Sequence, residues 1–100
     1  MIRRLNDAFR TSFVGGKVML TLGIRAKSDI ERTEILERIL NFHDFTKSND
    51  PYGEHDMGRF DYKGEKIIWK IDYYDKQYKM MSDNPDITNR VMTIMLADEY

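Results

Sequence analysis

Apolar and polar positions change period several times along the chain, and each change marks an element. Ile2, Leu5, Ala8 and Phe9, with Phe13 four residues on, line one side of a helix, while Arg3, Arg4, Asp7 and Arg10 fall mostly outside it. Gly15 and Gly16 stop this first amphipathic helix, since glycine adopts positive φ at no steric cost. Val18, Leu20 and Leu22 then alternate with Met19 and Thr21 as a short strand ended by Gly23. Ser28, followed by Asp29 and Glu31, reads as a second helix N-terminus, where acidic side chains meet unpaired amides and the positive end of the dipole. Ile35, Leu36, Ile39 and Leu40 supply its buried stripe, and it should end near Phe42 to Phe45.

The run from Thr46 to Asp56, TKSNDPYGEHD, is polar and holds a proline and a glycine, so it is a connection. Beyond it lies a hairpin whose register follows from the turn. A two-residue turn at Lys63 and Gly64 sets Tyr62 opposite Glu65, Phe60 opposite Ile67, Gly58 opposite Trp69 and Asp61 opposite Lys66. One face is then mostly aromatic and aliphatic, continued by Ile71 and Tyr73, and Gly58 leaves room for the indole of Trp69. A three-residue bulged turn would set Phe60 opposite Lys66 and mix the faces. The run KQYKMMSDNPD after Asp75 reads as a connection with a short extra strand around Tyr78 to Met80, its paired methionines filling gaps at the core edge. Asp86 after Pro85, with Val91, Ile94 and Met95 at helical spacing, predicts a third helix that closes the chain. The expected fold is α+β: one domain over residues 1–100, a small antiparallel sheet with a central hairpin, and about three helices in the order α-β-α-β-β-α.

Charge refines this picture more through its distribution than its total. Residues 1–27 hold six Lys/Arg against one acid, residues 28–56 hold three against eight, and residues 57–100 hold seven against eight. The net charge of −1 gives no overall field that would steer the chain onto nucleic acid. A nucleic-acid surface would have to come from Arg3, Arg4, Arg10, Lys17, Arg25 and Lys27, with Tyr74 for stacking, and no recognised motif favours it. With zero cysteines, a disulfide framework, thiolate zinc site and cysteine nucleophile are excluded, and a cytoplasmic address is the default. No apolar run approaches the roughly 20 residues that span a bilayer, so no membrane partner is expected.

Two unusual words, NDPYGEHD over 49–56 and WKIDYYD over 69–75, stand between RRLNDAFR near the start and VMTIMLADEY at the end. In that order and spacing the chain resembles the small bacterial proteins grouped as domain of unknown function 3768. The resemblance carries no catalytic residues to transfer. Members of that group often lie on plasmids and other mobile elements, which implies an accessory role, as a counter-defence or regulatory factor.

One cluster could do chemistry. Glu54, His55 and Asp56, completed by Asp72 and Asp75, would serve a small metal-assisted hydrolase or nuclease. Adjacent residues of an extended loop point in different directions, so at most two of the three reach one ion, and a loop held by carboxylate and imidazole hydrogen bonds competes. Asp50, Pro51, Tyr52 and Gly53 read first as a turn, with Asp50 accepting backbone amides. No catalytic residue, metal ligand or cofactor is therefore assigned. The favoured reading is a non-catalytic protein that binds another macromolecule, through a surface of Tyr52, Glu54, His55, Asp56, Arg59, Lys70, Asp72 and Tyr74. In it the loop should pack on the strand from Trp69 to Asp75, with an acid paired to Lys70 and the imidazole reaching Tyr74 or Asp72.

Overall fold

A computed structural model of the chain describes residues 2–74 and 89–100. Among these residues three α-helices, α1 (Ile2–Arg10), α2 (Leu22–Arg25) and α3 (Asp29–Leu40), accompany four strands, β1 (Gly16–Leu20), β2 (Met57–Tyr62), β3 (Glu65–Tyr74) and β4 (Asn89–Leu96), and a 3-10 turn follows at Ala97–Glu99. Helix α3 starts where its sequence says it should. The Ser28 hydroxyl accepts from the Glu31 amide while the Glu31 carboxylate accepts from the Ser28 amide, a reciprocal cap that satisfies two otherwise orphaned donors. It ends at Leu40, slightly short of the expected Phe42 to Phe45.

The strands lie in the order β1-β4-β3-β2. The hairpin of β2 and β3 has the two-residue turn, with Phe60 opposite Ile67, Gly58 opposite Trp69 and Asp61 opposite Lys66. Lys63 and Gly64 both take positive φ, 49° and 84°, the geometry of a type I′ turn whose twist matches the strands it joins. Gly58 is required by packing. A Cβ there would stand 2.5 Å from Nε1 of Trp69 and 2.8 Å from Cζ of Phe42.

Three expectations are corrected. Residues 89–96 form strand β4 and not a closing helix: Val91, Ile94 and Met95 do recur at helical spacing, but Arg90, Met92, Ile94 and Met95 are all buried and the strand sits between β1 and β3. The sheet is also mixed and not purely antiparallel, because β1 runs parallel to β4, with Val18 beside Met92. The first strand ends at Leu20, and Gly23 lies inside α2, where a Cβ would meet Leu96 and Glu99 side chains. The proposed strand around Tyr78 to Met80, the paired methionines and the turn at Pro85 lie outside the described residues.

The core forms on the face of the sheet that carries Ile67, Trp69, Ile71, Met92 and Ile94, against Phe9 of α1, Ile24 of α2 and Ile35 and Ile39 of α3. Arg10 ties two helices together. Its guanidinium donates to the carbonyl oxygens of Ile39 (3.0 Å), Leu40 (3.3 Å) and Phe42 (3.0 Å), placing a cation on the negative end of α3 while its other nitrogen bonds Asp7. None of the described helices is long and apolar enough to cross a membrane.

Candidate functional site

The loop before the hairpin is built by short polar side chains bonding to nearby backbone. Thr46 and Asn49 bond reciprocally, and the Asp50 carboxylate accepts the amides of Glu54 (3.1 Å) and His55 (3.2 Å). Gly53 turns the chain at φ 65°. His55 is left in the left-handed region at φ 54°, a conformation that costs roughly 1 kcal/mol or more unless its surroundings hold it. They do. Its ring stacks on Phe45 with centroids 3.7 Å apart, Nδ1 lies 2.9 Å from Asp7 of α1, and Nε2 lies 3.5 Å from Asp50.

The loop therefore docks on α1 and Phe45, while the Asp56 carbonyl oxygen accepts the Ile71 amide at 2.7 Å and extends the hairpin ladder by one pair. Its neighbour Glu54 is fixed by Asn6, which is fully buried: the Asn6 amide donates to the Glu54 carbonyl (3.0 Å) and the Tyr73 hydroxyl (2.8 Å), and its oxygen accepts from Nε of Arg90 (2.8 Å). Burial, reinforced by the neighbouring carboxylates, holds the carboxyls of Glu54 and Asp56 above the ordinary range. Burial likewise raises the Tyr73 phenol.

The expected surface is thus distributed over two faces. His55 turns toward α1, Glu54 and Asp56 act electrostatically on Tyr73, and Asp72 acts on Asp56, whereas Lys70 pairs with Asp72 of its own strand at 3.3 Å and takes no carboxylate of the loop. Arg59 is exposed and shares the second face with Lys70, Asp72 and Tyr74 by strand alternation and register, and Tyr52 stands at the loop tip with 84% of its surface exposed. Among the described residues no group of three or more His, Asp and Glu side chains could hold a metal ion. Of the basic N-terminal set, Arg10 is buried and Lys27 pairs with Glu65.

Four residues that fix this region were not singled out from the sequence: Asn6, Asp7, Phe45 and Arg90. Asn6 had a signal. Positions 2, 5, 6 and 9 form one helical stripe, and a polar residue inside an apolar stripe marks a buried hydrogen-bonding role.

A second feature could not be read from any motif. Among the described strands β2 is the edge of the sheet, and a groove of about 920 Å³ runs between it and α3. In a two-residue hairpin the residues flanking the turn bond each other, so Tyr62, Phe60 and Gly58 spend their backbone groups on β3. Those of Met57, Arg59 and Asp61 point away from the sheet. Of these outward groups the Asp61 carbonyl receives Nη1 of Arg38 at 3.3 Å, and among the described residues the others have no hydrogen-bond partner. The guanidinium of Arg38 lies 4.6 Å from the centre of the Phe60 ring on the groove floor. At the turn end the Tyr62 hydroxyl donates to Glu34, which pushes the phenol up to about 12.

Residues 20–99 match the family described as protein of unknown function (DUF3768), and the chain belongs to that family. No curated protein and no solved structure matches it at a significant level.

Proposed function

We propose that this member of the DUF3768 family is a protein-binding module whose docking element is strand β2 with the groove beside it. The observation that carries the reading is the row of outward N–H and C=O groups at Met57, Arg59 and Asp61 that have no ladder partner among the described residues. Such an edge adds a strand from another chain, each new bond contributing about 1 kcal/mol and the groove accommodating alternate side chains of the incoming segment. Arg59, already part of the expected surface, lies at the centre of this edge. The loop supports a binding role over catalysis, because His55 turns both ring nitrogens toward Asp7 and Asp50. Working by contact suits a cytoplasmic accessory factor of a mobile element, the role that the family's setting implies.

The test uses Arg59→Pro. Proline removes the outward N–H yet is tolerated at an edge strand, where that group makes no bond within the fold. Immobilised wild type, Arg59→Pro and Asp72→Ala are compared as bait for host cytoplasmic proteins. A protein held by wild type and Asp72→Ala but lost from a folded Arg59→Pro supports docking at β2. Retention by Arg59→Pro, with loss from Asp72→Ala, moves the binding face to the surface of Lys70, Asp72 and Tyr74 and overturns the proposal.

A further inference from the structure

The uncovered edge restricts what can pair with it, and one candidate strand is available in every solution of this protein: β2 itself. In an antiparallel pairing across a two-fold axis, only residues whose backbone groups point outward can bond each other, so Met57, Arg59 and Asp61 of one copy must face the same set in the other. Five registers bring at least one such pair together, and a two-fold axis through Met57 leaves Met57 opposite Met57 as its one pair within the set. A two-fold axis through Arg59 sets two arginines opposite each other, and one through Asp61 sets two aspartates opposite each other and Arg59 opposite Lys63. An axis through Gly58 pairs Met57 with Arg59 and so brings no opposite charges together within the strand.

The remaining register has its axis at Phe60, and there Met57 falls opposite Lys63 of the turn, beyond the strand. It sets Arg59 of each copy opposite Asp61 of the other, gives two cross-strand ion pairs, and forms four backbone hydrogen bonds. Phe60 then meets its own counterpart as a non-hydrogen-bonded pair, whose side chains approach most closely, on the groove face. Both residues of the charge pair are available: Arg59 is exposed, and the Asp61 side chain is 80% exposed with only a 3.9 Å contact to Lys66. The groove of each copy opens onto the other, and the two α3 helices flank the joined strands on the same side of the sheet.

We infer that the strand β2 accepts is β2 of a second copy of this chain, in the register that pairs Arg59 with Asp61 about Phe60. The inference rests on β2 being the docking element, and names its partner. Charge pairing supplies the test. In Arg59→Asp every cross-strand pair becomes acid against acid, and in Asp61→Arg every pair becomes base against base, so each variant should self-associate at least about tenfold more weakly than wild type. An equimolar mixture of the two variants restores both opposite-charge pairs and should dimerise, as should the doubly exchanged chain Arg59→Asp/Asp61→Arg.

Sedimentation velocity over a dilution series reads all five samples, with far-UV circular dichroism confirming that each variant is folded. Dimers of wild type, of the mixture and of the double exchange, with weakened association of each single variant, support the inference. A wild type that sediments as a monomer throughout, or a dimer indifferent to both reversals, overturns it. The bait comparison separates the two levels. If wild type is monomeric but a host protein is still lost from Arg59→Pro, the edge binds a foreign strand; if a dimer forms that Arg59→Pro leaves intact, the docking element itself is wrongly placed.

Discussion

Replacing Gly58 by alanine adds one methyl group at the most crowded point of the hairpin. The new carbon would lie 2.5 Å from Nε1 and 2.7 Å from Cε2 of Trp69 and 2.8 Å from Cζ of Phe42, all well inside van der Waals contact. None of these neighbours is a loose side-chain end. The indole is fully buried, and Phe42 and Phe45 meet it edge-on with centroids at 5.6 Å and 6.2 Å. Overpacking of this kind costs about 1–3 kcal/mol, from which the smaller unfolded-state entropy of alanine returns up to about 1 kcal/mol. A net loss of about 1–2 kcal/mol should lower Tm by roughly 5–15 °C in a chain of this size. Urea titration followed by far-UV circular dichroism measures it, and the Trp69→Leu background gives the mechanism: with no side-chain atom left at the Nε1 and Cε2 positions, the Gly58→Ala penalty should shrink by about 1 kcal/mol. A Gly58→Ala chain as stable as wild type, or a penalty unchanged by Trp69→Leu, would show that the indole does not lie over Gly58.

Arg10→Met should destabilise by about 2–5 kcal/mol, because it removes the buried cation that donates to three carbonyl oxygens at the end of α3 and leaves Ile39 with the Phe42 amide alone; a loss below about 1 kcal/mol by chemical denaturation would mean that the cap is dispensable. Asp56 binds its proton more tightly folded than unfolded, so wild-type stability falls as pH rises from the ordinary aspartate range through the raised folded value. Asp56→Asn should therefore be the more stable chain at neutral pH, with the gain vanishing in acid below that range. Urea midpoints across pH decide it, and a less stable Asp56→Asn at neutral pH contradicts the sign.

The hairpin was legible because two independent signals agree on it. Period-two alternation from Phe60 to Tyr73 and a turn of two residues admit one register, and slipping it by one residue would drive Trp69 to the opposite face. Strand β4 was not legible for a physical reason: an interior strand presents apolar residues to both faces, so VMTIML is a continuous run whose subset Val91, Ile94 and Met95 also satisfies a helix. Its parallel partner β1 is more than seventy residues away, beyond any local pattern. The loop shows the same division. Its turn chemistry at Asp50 and Gly53 was readable from composition, but its attachment to Asn6 and Asp7 depends on where α1 packs, and that is decided by tertiary contacts.

The place of β4 in the sheet also orders events in time. It is the last strand in sequence but lies between β1 and β3, so neither the parallel pair Val18–Met92 nor the antiparallel pair Trp69–Ile94 can exist on a ribosome until residues 89–96 have emerged. Before then the nascent chain can form its helices and the β2–β3 hairpin, which exposes Trp69 and Ile71 and leaves β3 without its second neighbour. Closing the sheet across so long a stretch of sequence makes folding slow and late, as non-local pairings do. Among the described strands, synthesis thus passes through a stage in which the edges of both β2 and β3 are uncovered, and the arrival of β4 hides one of them.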